Sequence, residues 1–270
     1  GLNLTDAGLC REAMARAAAQ DILLSFHEEE PSLVPSPGVN YGSKAAKEFG
    51  VPGAMASAES AMIARDIALA LDTGARVLFQ HVSSAQSVAL IRAGKALGAR
   101  IYAEVTPHHL SLTEADVCTH GAYARMNPPL RTEADREALI GALADGTIDM
   151  VATDHAPHTA EEKAREFAKA PSGITGLETA FSVCNTFLVQ TGRLSPMQLV
   201  ERMSRTPAEL YGLSGRAVRE GNFARLVLLD WKRETVYRSY RSKAANTPYT
   251  GMPLTGAPRA IVTGAKVTAR

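Results

Sequence analysis

The sequence is poor in cysteine, in net charge and in long hydrophobic runs, and each shortage excludes a class of protein. Three of its 270 residues are cysteines, and Cys10, Cys118 and Cys184 lie far apart without CxxC spacing. This pattern argues against a disulfide framework and predicts free thiols in a reducing cytoplasm. A net charge of +1 gives no electrostatic footprint for nucleic acid or an anionic membrane. No apolar run approaches the roughly 20 residues that a membrane-spanning helix needs.

The chain instead alternates short apolar segments with longer amphipathic ones. Four segments are mostly apolar on both faces, as in a parallel sheet covered by helices, and they are residues 21–27, 75–81, 99–109 and 148–155. Four amphipathic segments begin near a Ser, Thr or Asp cap, and they are residues 5–20, 56–74, 83–98 and 132–146. The alternation predicts repeated βα units in one large domain, alone or with an appendage.

Each predicted strand ends in polar side chains capable of metal binding or acid–base chemistry. These residues are His27, His81, the pair His108 and His109, and Asp154 with His155. A (β/α)₈ barrel collects its active-site side chains at the carboxyl ends of its strands, whereas a doubly wound sheet binds its ligand at one switch point. No glycine-rich phosphate loop follows these strands, which disfavours a dinucleotide cofactor. The sequence therefore predicts an α/β fold of the TIM-barrel type.

The pattern changes beyond about Arg216. Residues 223–230, 234–240 and 259–270 read as short antiparallel strands separated by Gly and Pro turns. We therefore expect residues 1–215 to form the barrel units that carry the metal site. Residues 216–270 are expected to form a small C-terminal β appendage.

Imidazoles and a carboxylate converging at one barrel mouth suit Zn²⁺, which takes His nitrogen and Asp oxygen as ligands. We expect His27, His81 and Asp154 to bind the metal, because each ends a different predicted strand with a side chain that can bind a metal. Asp154 is also expected to act as the general base, since a metal lowers the pKa of a bound water toward about 7.

Other polar residues have a structural interpretation of equal or greater weight. His120, in the loop "CTHGAY", is expected to be structural. His108 and His109 follow Pro107, so a structural role in a turn and a role in the functional site are equally plausible for them. The run of three glutamates at 28–30 reads as a solvated loop edge, or else places Glu28 behind His27 at the site.

Seven motifs, spread from Gly1 to about Gly256, together resemble those of dihydroorotase, and more narrowly the bacterial type I branch of the cyclic amidohydrolases. They are "LSFHEEEPSL", "QHVSSAQSV", "AEVTPHHLSLT", "YARMNPPLRTEADREALI", "DGTIDMVATDHAPHTAEEK", "APSGITGLETA" and "SKAANTPYTGMPLTG". The combination of "MNPPLR", "TDHAPH", "EEK" and "PSGI" is the most specific part of the resemblance.

The resemblance implies a hydrolase with two Zn²⁺ ions in the intact site. Such an enzyme interconverts N-carbamoyl-L-aspartate and L-dihydroorotate in de novo pyrimidine biosynthesis. His27 and His81 match the two histidines that bind the family's second zinc. Asp154 matches the aspartate that ligates the first zinc and moves a proton between hydroxide and the ring nitrogen.

The resemblance also implies a substrate site. Asn127, in "MNPPLR", matches a residue that contacts the dihydropyrimidine ring, and His158 matches a histidine that reaches the substrate. Residues 171–173 match a loop that closes over the substrate with backbone groups, so Pro171 and Gly173 are expected to contact it.

The sequence departs from the family pattern in its first half. The family's first strand ends in a His-x-His pair followed by an Arg that binds the substrate carboxylate, and its fourth strand ends in an aspartate that bridges the metals. This sequence contains none of these. We therefore expect the chain to cover about strands 5–8, to need an N-terminal barrel segment, and to be inactive alone.

Three functions remain open on the sequence. The first is a dihydroorotase; the second is a sibling such as dihydropyrimidinase or allantoinase, against which "MNPPLR" and "PSGI" argue. The third is an inactive dihydroorotase-like subunit that supports aspartate transcarbamoylase, although such a subunit is expected to lose its metal ligands. The expected partners are thus the small-molecule substrate, the N-terminal segment, and a second copy or aspartate transcarbamoylase.

Overall fold

A computed structural model describes residues 4–213 and 218–269, and its first part contains a parallel sheet. The four strands are β1 (Leu23–Phe26), β2 (Arg76–Phe79), β3 (Ile101–Val105) and β4 (Met150–Val151). They pair in chain order, each parallel to the next. Consecutive parallel strands that stay neighbours are the arrangement of a (β/α) barrel, because a doubly wound sheet reverses its order at a switch point. The expected α/β fold is confirmed.

Four long helices connect or precede these strands where the hydrophobic pattern predicts them. They are α1 (Ala7–Ala19), α3 (Ala56–Thr73), α4 (Ala85–Ala96) and α7 (Glu133–Asp145). Asp6, Ser84 and Thr132 each accept a backbone N–H at the start of a helix, which satisfies a donor that has no partner within the helix. The cap before α3 is Met55, whose side chain makes no such bond. The four helices pack side by side in chain order.

The two faces of the sheet pack against different partners. Val77 and Phe79 of β2 are fully buried on the face covered by the helices. Leu78 lies between them in the sequence and points to the other face, where it packs with Met150 of β4 and with Leu210. This alternation follows from the period of two along a strand. It also explains why β2 is apolar at every position but its first.

Shorter helices fill the connections between these elements. The α-helices are α2 (Lys44–Glu48), α5 (Pro107–Ser111), α6 (Glu114–His120), α8 (Ala160–Lys163), α9 (Ala180–Cys184), α10 (Pro196–Val200) and α11 (Thr206–Leu210). Single 3₁₀ turns span Pro31–Leu33, Gly121–Ala124 and Phe167–Lys169, and π-helical turns span Asn185–Val189 and Glu201–Arg205. No helix within the described ranges is long and apolar enough to cross a membrane.

A three-stranded antiparallel sheet follows, as the sequence predicts for the C-terminal part. Its strands are β5 (Arg225–Val236), β6 (Pro253–Thr263) and β7 (Lys266–Ala269), paired in that order. The expected strand at 234–240 is wrong as a separate element, because β5 runs on to Val236 through two register shifts against β6. The expected strand at 259–270 is a hairpin that turns at Gly264. The proposed domain boundary at 215/216 falls at 214–217, outside the described residues.

Candidate metal centre and substrate site

The residues predicted to bind a metal lie just beyond the carboxyl ends of their strands. His27 directly follows β1, His81 lies two residues after β2, and Asp154 lies three residues after β4. His81 and Asp154 have positive φ angles of 34° and 44°. Positive φ is uncommon outside glycine, and such strained residues gather at functional sites. The strained backbone at these two positions is therefore consistent with a functional role.

His27 and His81 form a close pair. Nδ1 of His27 lies 3.0 Å from Nε2 of His81, so one nitrogen donates a hydrogen to the other. The rings meet edge to face, with centroids 4.8 Å apart and planes at 73°. Burial, and then the nearby His27, lower the pKa of His81 to about 4. His81 is therefore neutral at pH 7, the form in which imidazole binds metals.

The geometry of this pair fits a shared metal ion. Zinc holds histidine nitrogens at about 2.0–2.1 Å, so two ligands of a tetrahedral ion lie about 3.3 Å apart. The facing nitrogens are 3.0 Å apart and need only a small displacement. In the described parts of the chain, no three His, Cys, Asp or Glu side chains are placed together to hold a metal. Metal binding by this pair and by Asp154 therefore stays a prediction.

Asp154 is an exposed residue whose carboxyl is partly enclosed by protein atoms. The protein atoms around its carboxyl raise the pKa of Asp154, and the charge of His27 acts in the opposite direction. A carboxylate with a raised pKa is better suited to accept and return a proton near neutral pH. Its neighbour His155 has a different task, because its Nδ1 accepts the backbone N–H of Gly176 at 3.1 Å. His155 is therefore a structural residue of the adjacent loop.

Asn127 is brought to the histidine pair by Glu29. The Asn127 Nδ2 donates to Oε2 of Glu29 at 2.6 Å, and the same oxygen lies 3.6 Å from Nε2 of His27. Oδ1 of Asn127 is buried without a hydrogen-bond partner in the described structure. Buried polar atoms are nearly always paired, so a lone acceptor at a site is a candidate ligand contact.

A cavity of about 530 Å³ opens at these residues. Its lining includes His27, His81, Glu29 and Asn127, and a second group formed by Cys10, Glu28, Arg65 and Asp66. Asp154, His158 and Gly173 are not part of this lining. The structure therefore brings the histidine pair and Asn127 to one cavity, and places the other predicted residues outside it.

The glutamate run at 28–30 is not a solvated loop edge throughout. Glu28 is only 6% exposed, and burial together with Asp66 raises the pKa of its carboxyl well above the usual range. Glu30 accepts the N–H of Ser32 and begins the first 3₁₀ turn. Glu28 is distinguished by its contact with the distant Asp66, whereas Glu30 is distinguished by a local contact with Ser32.

The role of His109 is structural. Its Nδ1 lies 2.7 Å from Oγ1 of Thr106, and its Nε2 lies 3.2 Å from the carbonyl oxygen of Pro128. Burial lowers its pKa to about 3, so the neutral ring donates from Nε2 and accepts at Nδ1. His109 thus fixes the turn that begins at Asn127. His108 is also buried in helix α5, which begins at Pro107, so neither histidine lies on β3.

His158 and the loop at 171–173 contact each other. The Nε2 of His158 lies 2.9 Å from the carbonyl oxygen of Ser172 and donates to it. Gly173 has φ 113°, and a Cβ there would lie 2.5 Å from the Cβ of Ala156. Only glycine fits this position. The structure therefore joins these predicted substrate residues into one unit.

Two buried cations hold this loop, and the sequence analysis missed both. Nζ of Lys163 donates to the carbonyl oxygens of Ala122 and Pro171 at 2.9 and 2.8 Å. The guanidinium of Arg125 donates to the carbonyl of Ala170 and to Oγ of Ser172. Burial, and then Arg125, lower the pKa of Lys163 to about 8. Lys163 belongs to the "EEK" motif of the resemblance, but only its burial in the structure shows that it needs hydrogen-bond partners.

Comparison with known proteins shows which family the chain resembles. The family model described as "Amidohydrolase family" matches residues 9–267. The dihydroorotase of Clostridioides difficile is 52% identical over 256 residues, which cover 95% of this chain and 61% of that protein. The dihydroorotase of Clostridium acetobutylicum is 43% identical over 269 residues, which cover 99% of this chain and 63% of that protein.

Solved structures show the same architecture. The L-hydantoinase (dihydropyrimidinase) of Arthrobacter aurescens is 28% identical with a TM-score of 0.88, and the match covers 100% of this chain and 62% of that one. The D-hydantoinase (dihydropyrimidinase) of a Thermus species is 26% identical with a TM-score of 0.84, over 98% of this chain and 61% of that one. The chain therefore spans about three fifths of the length of these relatives. Because the family model matches residues 9–267, nearly the whole chain, the chain belongs to the amidohydrolase family.

Proposed function

We propose that the protein containing this chain is a zinc-dependent dihydroorotase, which interconverts N-carbamoyl-L-aspartate and L-dihydroorotate in de novo pyrimidine biosynthesis. The observation that carries the proposal is the pair of facing imidazole nitrogens of His27 and His81, 3.0 Å apart at adjacent strand ends. The choice of reaction is supported by dihydroorotases that are 52% and 43% identical over nearly the whole chain.

The proposed cofactor is Zn²⁺, with two ions in the intact site. His27 and His81 would hold one ion, and Asp154 would ligate the other. When bound, zinc polarises the ring carbonyl and lowers the pKa of the attacking water. A neutral His81 supports this assignment, because it presents a free lone pair at pH 7.

The chain's own residues would bind the substrate and move the proton. In hydrolysis, the Asp154 carboxylate accepts a proton from the attacking water and delivers it to the ring nitrogen as the C–N bond breaks. In ring closure, the protonated Asp154 works in reverse. Asn127 would contact the ring through its unpaired Oδ1, and His158 with the loop at 171–173 would enclose the substrate.

The second candidate is a hydantoinase or dihydropyrimidinase activity. It is favoured by the structural likeness to the Arthrobacter and Thermus enzymes. Their identities of 28% and 26% are far below the 52% of the Clostridioides difficile dihydroorotase. The presence of His27, His81 and Asp154 also weighs against an inactive scaffold subunit, since such a subunit has no need of metal ligands.

A substrate panel on the full protein distinguishes these functions. We expect zinc-loaded protein to hydrolyse L-dihydroorotate and to leave dihydrouracil, hydantoin and allantoin essentially unchanged. Preferred hydrolysis of dihydrouracil or hydantoin would replace the proposal with the second candidate. Full zinc content without turnover of any of the four would favour the scaffold.

The proposed compartment is the cytoplasm, and the proposed assembly is a homodimer or a complex with aspartate transcarbamoylase. The three cysteines, which all remain free thiols in the structure, fit a reducing compartment. Light scattering of the full protein, with and without added aspartate transcarbamoylase, tests the assembly.

A further inference from the structure

Asn246 is a buried amide that bridges the two segments of the proposed substrate site. It lies between β5 and β6, in the irregular segment 237–252, and it is only 2% exposed. Its side chain reaches the loops that follow β4. It belongs to the motif "SKAANTPYTGMPLTG", but the sequence analysis expects no metal-binding, catalytic or substrate-binding role for it.

The amide uses both of its ends on those loops. Oδ1 of Asn246 accepts the backbone N–H of His158 at 3.0 Å. Nδ2 donates to the carbonyl oxygens of Ala156 and Gly173 at 3.0 and 3.1 Å. An N–H and two carbonyls fix the orientation of the amide, because only its oxygen can face the N–H.

The backbone of Asn246 adds a further bond to the same unit. Its carbonyl oxygen accepts the N–H of Thr175 at 2.9 Å, and Thr175 lies two residues after the loop at 171–173. The N–H of Ala156 donates to the carbonyl of Ile174 at 2.9 Å, so the two segments also touch directly. The side chain of Asn246 therefore adds three bonds to those that already join the segment of His158 to the segment of Gly173.

We propose that Asn246 is a positioning residue that sets substrate affinity by holding His158 in register with the loop at 171–173. This inference rests on the proposed function, in which both elements contact the substrate. The reason is geometric, since substrate contacts made by backbone groups depend on sub-ångström placement. A displacement of about 1 Å near a reacting substrate can cost roughly 10²-fold in rate.

The experiment uses two variants of Asn246 in the full protein. Asn246→Ala removes all three side-chain bonds. Asn246→Asp keeps an acceptor for the His158 N–H but places a carboxylate oxygen against the carbonyls of Ala156 and Gly173. Asn185→Ala is the matched control, because Asn185 is equally buried and its Nδ2 donates to the carbonyls of Trp231 and Thr255, away from the loops.

We expect Asn246→Ala and Asn185→Ala to lower the melting temperature by similar amounts. Asn246→Ala alone should raise the KM for dihydroorotate by about tenfold or more, as expected for a displaced binding loop, with a smaller change in kcat. Asn246→Asp should do no better than Asn246→Ala. A KM unchanged in Asn246→Ala, or raised equally in Asn185→Ala, would overturn the proposal.

Amide hydrogen exchange separates this inference from the proposed function. In Asn246→Ala, exchange should accelerate in segments 156–158 and 173–175, and Asn185→Ala should leave those segments unchanged. If the wild-type protein fails to hydrolyse dihydroorotate, the proposed function is wrong, and exchange still decides the inference. Unchanged exchange in Asn246→Ala would show that the amide does not hold the loops together.

Discussion

His27 and His81 face each other across neighbouring parallel strands, with Nδ1 of the first 3.0 Å from Nε2 of the second. Two imidazole nitrogens this close can both reach one ion after a small displacement. The pair gives the structure its clearest functional signal.

Replacing either histidine should lower the zinc content of the full protein. We would use His27→Ala and His81→Asn, because asparagine tolerates the positive φ of 34° at residue 81 better than alanine does. Elemental analysis measures the metal. His120→Ala, at the end of helix α6, is the control and should change neither metal content nor turnover. Full zinc content with lost activity would make the pair substrate contacts instead.

Asp154→Asn should preserve the fold and remove nearly all turnover. Asparagine also suits the φ of 44° at this position, so a loss of activity reports chemistry rather than strain. An amide cannot accept the proton, and loss of a general base costs about 10² to 10⁴-fold. The measurement is kcat for dihydroorotate hydrolysis, with circular dichroism to check the fold. A variant that keeps more than about a tenth of the wild-type rate would contradict the assignment.

The two reaction directions should respond oppositely to pH. Burial raises the pKa of Asp154, so its ionised fraction grows as the pH rises through that value. Hydrolysis needs the carboxylate and should accelerate toward alkaline pH, whereas ring closure needs the protonated acid and should be favoured toward acid. Initial rates measured in both directions over the same buffers test this. Parallel profiles would exclude a single carboxyl group as the proton carrier.

Lys163 should make the protein more stable as the pH rises above neutrality. Its folded-state pKa of about 8 lies below the ordinary 10.5, so between these values the unfolded chain binds more protons. The free energy of unfolding therefore rises across this window, by roughly 3 kcal/mol for a shift of this size. Denaturation of the full protein at several pH values, compared with Lys163→Met, isolates the effect. Stability curves that stay parallel from pH 8 to 10.5 would contradict it.

Much of the fold was readable from local patterns. The apolar segments at 75–81 and 99–109 contain β2 and β3, because buried parallel strands are apolar on both faces. Helices α4 and α7 begin within two residues of the predicted starts, since Ser84 and Thr132 are capping residues. The strand at 234–240 was predicted wrongly, because a register shift within a long strand has no local signature.

The candidate site was readable only in part. His27, His81 and Asp154 were visible because each ends an apolar segment. The links that hold the site together were not visible, because Glu29 and Asn127 are 98 residues apart, and His158 and Asn246 are 88 residues apart.

Hydrophobic period, helix caps and side-chain type are local properties, so the alternation of strands and helices and the polar residues at the strand ends could be predicted from the sequence. Which of these polar residues contact each other depends on the folded chain. Whether the glutamate run is solvated or buried, and whether His109 serves the substrate or a turn, depends on partners brought from distant segments. Burial sets the pKa of each group, and burial exists only once the helices cover the sheet.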